Sequence, residues 1–165
     1  MRLTSKARYA VMAMVDIGDE ETGIPVSLSA ISERQELPLP YLEQLFVKLR
    51  KNSLVKSVRG SSGGYVLGRS ADQIRILDII VAVNGPLKAT RCDQKSALGC
   101  QAAGRRCSVH DLWDELEAVV QRFLSQVTLA DVCAKRVSGL GRFALFPDML
   151  PVQNVSPVQI KERAF

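Results

Sequence analysis

The chain holds a single histidine in 165 residues, His110. That scarcity removes most of the catalytic repertoire, because hydrolytic nucleophiles need a base such as imidazole beside them. No nucleophile–base pair is legible, and no cofactor-binding glycine motif is present. The one Gly-rich turn, Arg59-Gly60-Ser61-Ser62-Gly63-Gly64, is followed by no Lys-Ser/Thr and has strand-like sequence on both sides, so it is no phosphate loop. No apolar run is long enough to span a bilayer, and Met1-Arg2-Leu3-Thr4-Ser5-Lys6 is no secretion signal. A cytoplasmic protein without a membrane partner, and not an enzyme, is expected. Thiols stay reduced in that compartment, where clustered cysteines bind metal or do redox chemistry more often than they form structural disulfides.

Acidic residues are absent between Glu43 and Asp72, whereas Lys48, Arg50, Lys51, Lys56, Arg59 and Arg69 all fall inside that stretch. The net charge of +5 and pI near 9.2 are only mildly basic, so the distribution says more than the sum. A one-signed run suits a phosphate-facing surface; it would equally serve as a solvated helix face and loop.

The elements around that run sharpen it. Leu3 to about Gly18 reads as an amphipathic helix capped by Thr4 or Ser5, with Tyr9, Val11, Met12, Val15 and Ile17 as its apolar face. Asp19 to Pro25 breaks it. Ser27 caps a short helix that buries Leu28, Ile31 and Ala30. After the turn Leu37-Pro38-Leu39-Pro40, a third helix starts at Pro40 and runs to Lys51, with Leu42, Leu45, Phe46 and Leu49 inward. Helix, short turn, helix with a polar outer face is the pattern of a helix-turn-helix. Leu54–Val58 and Tyr65–Leu67 then form a β-hairpin, which directly after a recognition helix is a wing. In that arrangement Tyr41, Glu43 and Gln44 reach base edges. Gln44 suits adenine; Glu43 can accept from cytosine N4 and repels sites lacking that donor. Arg59 suits a minor groove, and Lys48, Arg50, Lys51 and Lys56 suit phosphates, with pairing to an acid inside the fold the alternative for Arg50.

Ile76–Val83 is a short apolar helix ended by Asn84-Gly85-Pro86. A longer helix, Ser108 to about Gln126, carries Leu112, Trp113, Leu116, Val119, Val120, Phe123 and Leu124 at three- and four-residue spacing. Such a stripe either packs on a partner helix or covers the chain's own core. The small winged domain leaves little core to cover, which points to a homodimer through Leu112, Leu116, Val119 and Phe123. One more short helix, Thr128 to Lys135, is expected, with Cys133 an inert core thiol. Trp113 and Tyr9 read as core or interface residues. The expected fold is mainly α with a small β wing, a winged helix-turn-helix plus a long dimerisation helix. Its parts are a DNA-binding domain over 1–70, a metal loop and dimerisation helix over 71–135, and a flexible tail over 136–165.

Between the last two apolar helices lie Cys92, Cys100 and Cys107, and His110 follows three positions after the last. Three thiols and an imidazole in a Gly-rich loop that enters a helix can close around a metal centre. The donor types suit structural zinc, although only Cys107 and His110 have a tight zinc-like spacing. They also suit an iron–sulfur cluster, where imidazole in place of a thiolate makes the assembly less negative and raises its reduction potential. Imidazole competes with protons for the metal, so such a ligand is the more easily lost.

Several segments carry a family resemblance: Met1 to Val11, Tyr41-Leu42-Glu43-Gln44-Leu45-Phe46, Leu49-Arg50-Lys51-Asn52, Ser57-Val58-Arg59-Gly60, Gly63-Gly64-Tyr65, Ala89-Thr90-Arg91-Cys92, and Cys107 to Trp113. Over roughly residues 1 to 135 the chain resembles the Rrf-two family of bacterial winged-helix regulators, and within it the branch that controls iron–sulfur cluster assembly. The resemblance implies a homodimer on palindromic double-stranded operator DNA and a 2Fe–2S cluster on Cys92, Cys100, Cys107 and His110. It further implies repression of cluster-assembly genes, the assembly machinery as cluster source, and a role for Glu43 in separating two operator classes. The nitric-oxide-sensing branch takes an acidic ligand from the first helix, where this chain has no acid before Asp16. A zinc-bearing regulator and a nitric-oxide or redox sensor stand as the alternatives. Three departures are visible. Seven and then six residues separate the cysteines, a longer loop than is usual in that branch. Ser61-Ser62 replaces Pro-Gly at the wing tip, and Pro40 replaces a small hydroxyl residue.

Overall fold

The computed structural model of the chain describes residues 4–19, 23–60, 62–88 and 105–137. Helix α1 spans Ser5–Asp19. The Thr4 hydroxyl accepts the Ala7 N–H at 3.3 Å and so caps its first turn. Its buried face is not the expected one. Ala7, Ala10, Ala13, Met14 and Ile17 are buried, whereas Tyr9, Val11, Met12 and Val15 are only half-buried. Alanine carries nothing beyond Cβ, so neighbouring helices can approach the α1 backbone closely along that stripe.

Helix α2 (Leu28–Gln35) begins at Ser27, whose hydroxyl accepts the Ala30 N–H at 3.1 Å. It ends at Glu36 in the left-handed conformation (φ 53°), with that residue's N–H turned back to the Ser32 carbonyl. Leu37 and Pro38 lead into α3 (Leu39–Lys51). The expected start at Pro40 moves one residue earlier. Pro40 still lies in the first turn, where helix N–H groups have no intrahelical acceptor and a missing one costs nothing. Leu42, Leu45, Phe46 and Leu49 are all buried, as their spacing predicts. Asp16, buried on α1, accepts from Arg34 and, at 2.9 Å, from the Gln35 amide, which ties α1 to α2.

Strands β1 (Val55–Val58) and β2 (Gly64–Leu67) pair antiparallel, with Val55 opposite Leu67 and Val58 opposite Gly64. Val26 adds a third rung, exchanging both backbone hydrogen bonds with Tyr65 at 2.8 and 2.9 Å. A Cβ on Gly64 would stand 2.4 Å from the Val26 carbonyl oxygen, so only glycine permits this approach. The Phe46 ring meets Tyr65 edge-on, with centroids 4.7 Å apart, and locks the recognition helix to the wing.

After a short 3-10 turn (Ala71–Gln73) come α4 (Ile76–Asn84), α5 (His110–Gln126) and α6 (Leu129–Cys133). α4 packs on α1, α3 and α5, and α6 returns to α1. Two backbone hydrogen bonds fasten that return: Leu129 N–H to Ile74 O at 2.8 Å and Ile76 N–H to Val127 O at 3.0 Å. Thr128 and Asp131 cap α6 reciprocally, and their hydrogen bonds hold the Asp131 carboxyl below its usual range. One core runs from the α1 alanines through Phe46 and Ile79 to Leu129. The architecture is a winged helix-turn-helix, mainly α with a small β wing. The expected tail lies, from residue 138 on, outside the described residues.

Candidate DNA-reading face and metal-ligand turn

The outer face of α3 presents Pro40, Glu43, Gln44, Val47, Lys48 and Lys51, all exposed. Tyr41 is half-buried, and its ring stands edge-on to Tyr9 with centroids 5.7 Å apart, bracing the start of α3 against α1. The Lys48 ammonium donates to the Val83 carbonyl at 2.8 Å. That carbonyl belongs to the last turn of α4, where the negative end of the helix dipole holds a cation. Lys56 on β1 and Arg59 after it are exposed on the wing. A cleft of about 680 Å³ between the start of α1, α3 and the end of α4 also gathers Lys6 and Lys88 around Lys48. Those two lysines lie outside the one-signed run, so charge spacing along the chain did not point to them.

Two of the four metal-ligand candidates, Cys107 and His110, lie at the start of α5. His110 is the first residue of that helix and is buried. Its N–H donates to the Cys107 carbonyl at 3.1 Å, so Cys107-Ser108-Val109-His110 is a single tight turn. The Cys107 thiol is half-buried. The His110 Nε2 lies 3.0 Å from Asp114 Oδ2, one helical turn on. A carboxylate beside a ligating imidazole is what orients the ring. Sequence reasoning missed Asp114, although its i, i+4 relation to His110 was legible. Cys92 and Cys100 lie outside the described residues, among which no group of three metal-binding side chains assembles. A thiolate and an imidazole in one turn, with two more cysteines in the segment that feeds it, fit a Cys₃His centre by donor chemistry.

The apolar stripe of α5 divides along its length. Leu112, Trp113 and Leu116 are 63%, 40% and 38% exposed. Val119 and Phe123 are half-buried, and Phe123 and Leu124 pack on the chain's own core. Gln121 fastens the same half by donating to the Leu87 carbonyl at 3.0 Å. Cys133 is partly buried against α1, and burial with the nearby Asp19 carboxylate pushes its thiol up to about 11.

Residues 3–135 match the Rrf2 family, described as iron-dependent transcriptional regulators. The chain belongs to the Rrf2 family. It is 52% identical over 132 residues to the transcriptional regulator IscR of Sodalis glossinidius, covering 80% of this chain and 78% of that one. Among solved structures it is similar to IscR of T. potens, at 37% identity and a TM-score of 0.67 over 82% of this chain and 88% of that one. It is also similar to CymR, the global cysteine regulator of B. subtilis, at 32% identity and a TM-score of 0.68 over 82% and 98%. The chain is a DNA-binding transcriptional regulator of the IscR kind, not an enzyme. Among the described residues no helix is long and apolar enough to cross a membrane. Because the family holds a cysteine regulator beside IscR proteins, membership alone does not choose the effector.

Proposed function

We propose that this regulator senses iron–sulfur cluster status in the cytoplasm and represses cluster-assembly genes as a homodimer on double-stranded operator DNA. Cys92, Cys100, Cys107 and His110 would hold a 2Fe–2S cluster received from the assembly machinery. The observation that carries this reading is the turn at the head of α5. The chain's one histidine is buried there beside Cys107 and backed by Asp114. When bound, the cluster supplies a centre whose charge and presence follow supply and redox state.

The chain's own residues do the rest. His110 binds at the first position of α5 and anchors the preceding loop to that helix. Leu112, Leu116, Val119 and Phe123 line the dimer, with Leu112 and Leu116 as its exposed part and Phe123 packing on the chain's own core as well; residues 71–135 thus couple ligand turn and partner. Residues 1–70 read DNA: Tyr41, Glu43 and Gln44 at the start of α3, Lys51 and Lys56 on phosphates, and Arg59 in the minor groove. Lys48 ties α3 to α4, the helix that leads toward the cysteine segment. Glu43 rejects operators that lack a donor for its carboxylate.

Anaerobic purification with metal, sulfide and visible-absorption analysis tests the metal centre. About two irons and two sulfides per chain are expected; zinc without sulfide would overturn the reading and leave a structural-zinc regulator. His110→Cys is expected to retain a cluster that is harder to reduce, because a thiolate adds negative charge. If its potential matched that of wild type, His110 would be no ligand.

A further inference from the structure

Val47 is 58% exposed, and among the described large apolar side chains only Leu112 is more so. Leu112 has a place in the proposed dimer, whereas Val47 lies in the middle of the recognition helix. Pro40, Gln44, Val47 and Lys51 follow one another at i, i+4, i+7 and i+11. They form a single ridge directly opposite the buried Leu42, Leu45, Phe46 and Leu49. Glu43 stands on one flank of that ridge, and Lys48, held by Val83, on the other. The centre of the outward face is therefore an amide, a branched hydrocarbon and a cation in line.

Charge fixes what this ridge meets. Lys51 is one turn beyond Val47, and Lys56 and Arg59 continue the basic surface along the wing. A protein surface would have to supply carboxylates around an apolar spot. Duplex DNA supplies phosphates around a groove whose floor carries one methyl group, on thymine C5.

Resting on the DNA-reading role given above to α3, we propose that Val47 is a specificity-determining residue that selects thymine through its 5-methyl group. Val47 lies about 4.5 Å along the helix from Gln44, and stacked bases are about 3.4 Å apart. The thymine it reads is therefore about one base pair from the base read by Gln44. Cytosine at that position presents an amino group that valine cannot accept from, which leaves a desolvated donor.

The test removes the methyl from either side. The cluster-loaded full chain and Val47→Ala are each offered random-sequence duplex DNA. The enriched duplexes are then rebuilt with deoxyuridine replacing each thymine in turn, and affinity is read by fluorescence anisotropy. In wild type one thymine per half-site should lose about four-fold in affinity, the worth of one buried methyl. In Val47→Ala the same replacement should cost nothing, and the selected sequence should lose its preference there. Deoxyuridine costs that are equal in the two proteins at every position would overturn the Val47 assignment while leaving α3 as the reading helix. Failure of wild type to enrich any duplex would overturn the assignment of α3, and this inference with it.

Discussion

Alanine at Lys51 and alanine at Lys48 should give different kinds of variant, although the two lysines stand one turn apart on the same helix. Lys51 is exposed on the central ridge of α3, where in the proposed reading its charge would meet a phosphate and release a counterion. Losing one such contact lowers the slope of log K against log salt by about 0.9. Between roughly 50 and 200 mM salt that single contact accounts for about a 3.5-fold change in affinity. Lys51→Ala should therefore bind more weakly at low salt and converge on wild type by that factor as salt rises. Lys48 is differently placed. Its ammonium is 2.8 Å from the Val83 carbonyl at the end of α4, in a hydrogen bond from a charged donor at the negative helix terminus. Such a contact on a partly exposed side chain stabilises by about 1 kcal/mol, which is about 2–4 °C in Tm for a domain of this size. Lys48→Ala should lower Tm by that amount and leave the salt slope nearly unchanged. Fluorescence anisotropy over a salt series, with thermal denaturation of the same preparations, reads both quantities. Equal loss of slope in the two variants, with no change in Tm for Lys48→Ala, would refute the argument.

Glu43→Ala should relax discrimination between operator sites and raise affinity for those that wild type excludes; an equal loss on all sites would make Glu43 a plain positive contact. Leu112→Glu with Leu116→Glu should yield a folded monomer by sedimentation, since both side chains are exposed in the single chain and a stripe of this kind calls for a partner. Phe123→Ala, which opens the chain's own core, should instead lower Tm. Cys133 gives a pH signature. Its thiol is raised to about 11 by burial and Asp19, so the folded chain holds this proton more tightly than the unfolded one. That contribution to stability is present below about pH 9 and lost as pH rises through 11. Denaturant titrations at pH 8 and pH 10.5 should show a smaller alkaline loss in Cys133→Ala than in wild type.

Most of the elements were legible because their causes are local. The i, i+3, i+4, i+7 run of Leu42, Leu45, Phe46 and Leu49 needs no knowledge of what covers it, and all four are buried. Ser27 and Thr128 announce helix starts by side-chain chemistry that acts within three residues, and both hydrogen bonds form. The long helix expected from Ser108 begins at His110 instead, after a turn closed on the Cys107 carbonyl. The tertiary structure decided what depends on contacts between distant segments. Along α1, Tyr9, Val11, Met12 and Val15 are larger than alanine and have more apolar surface to bury. Yet the alanines face inward, because close helix packing rewards small side chains and not only apolar ones. Val26 carries no strand signal of its own and joins the wing because Gly64 lets its carbonyl come near. Lys48 looks like Lys51 in the sequence. Its contact with Val83, 35 positions along the chain and brought near by folding, makes one a tie between helices and leaves the other facing outward. The stripe on α5 has one period throughout, and only the fold divides it into a half that covers the core and a half left exposed. Periodicity is written along one element; which surface an element meets is settled by every other element at once.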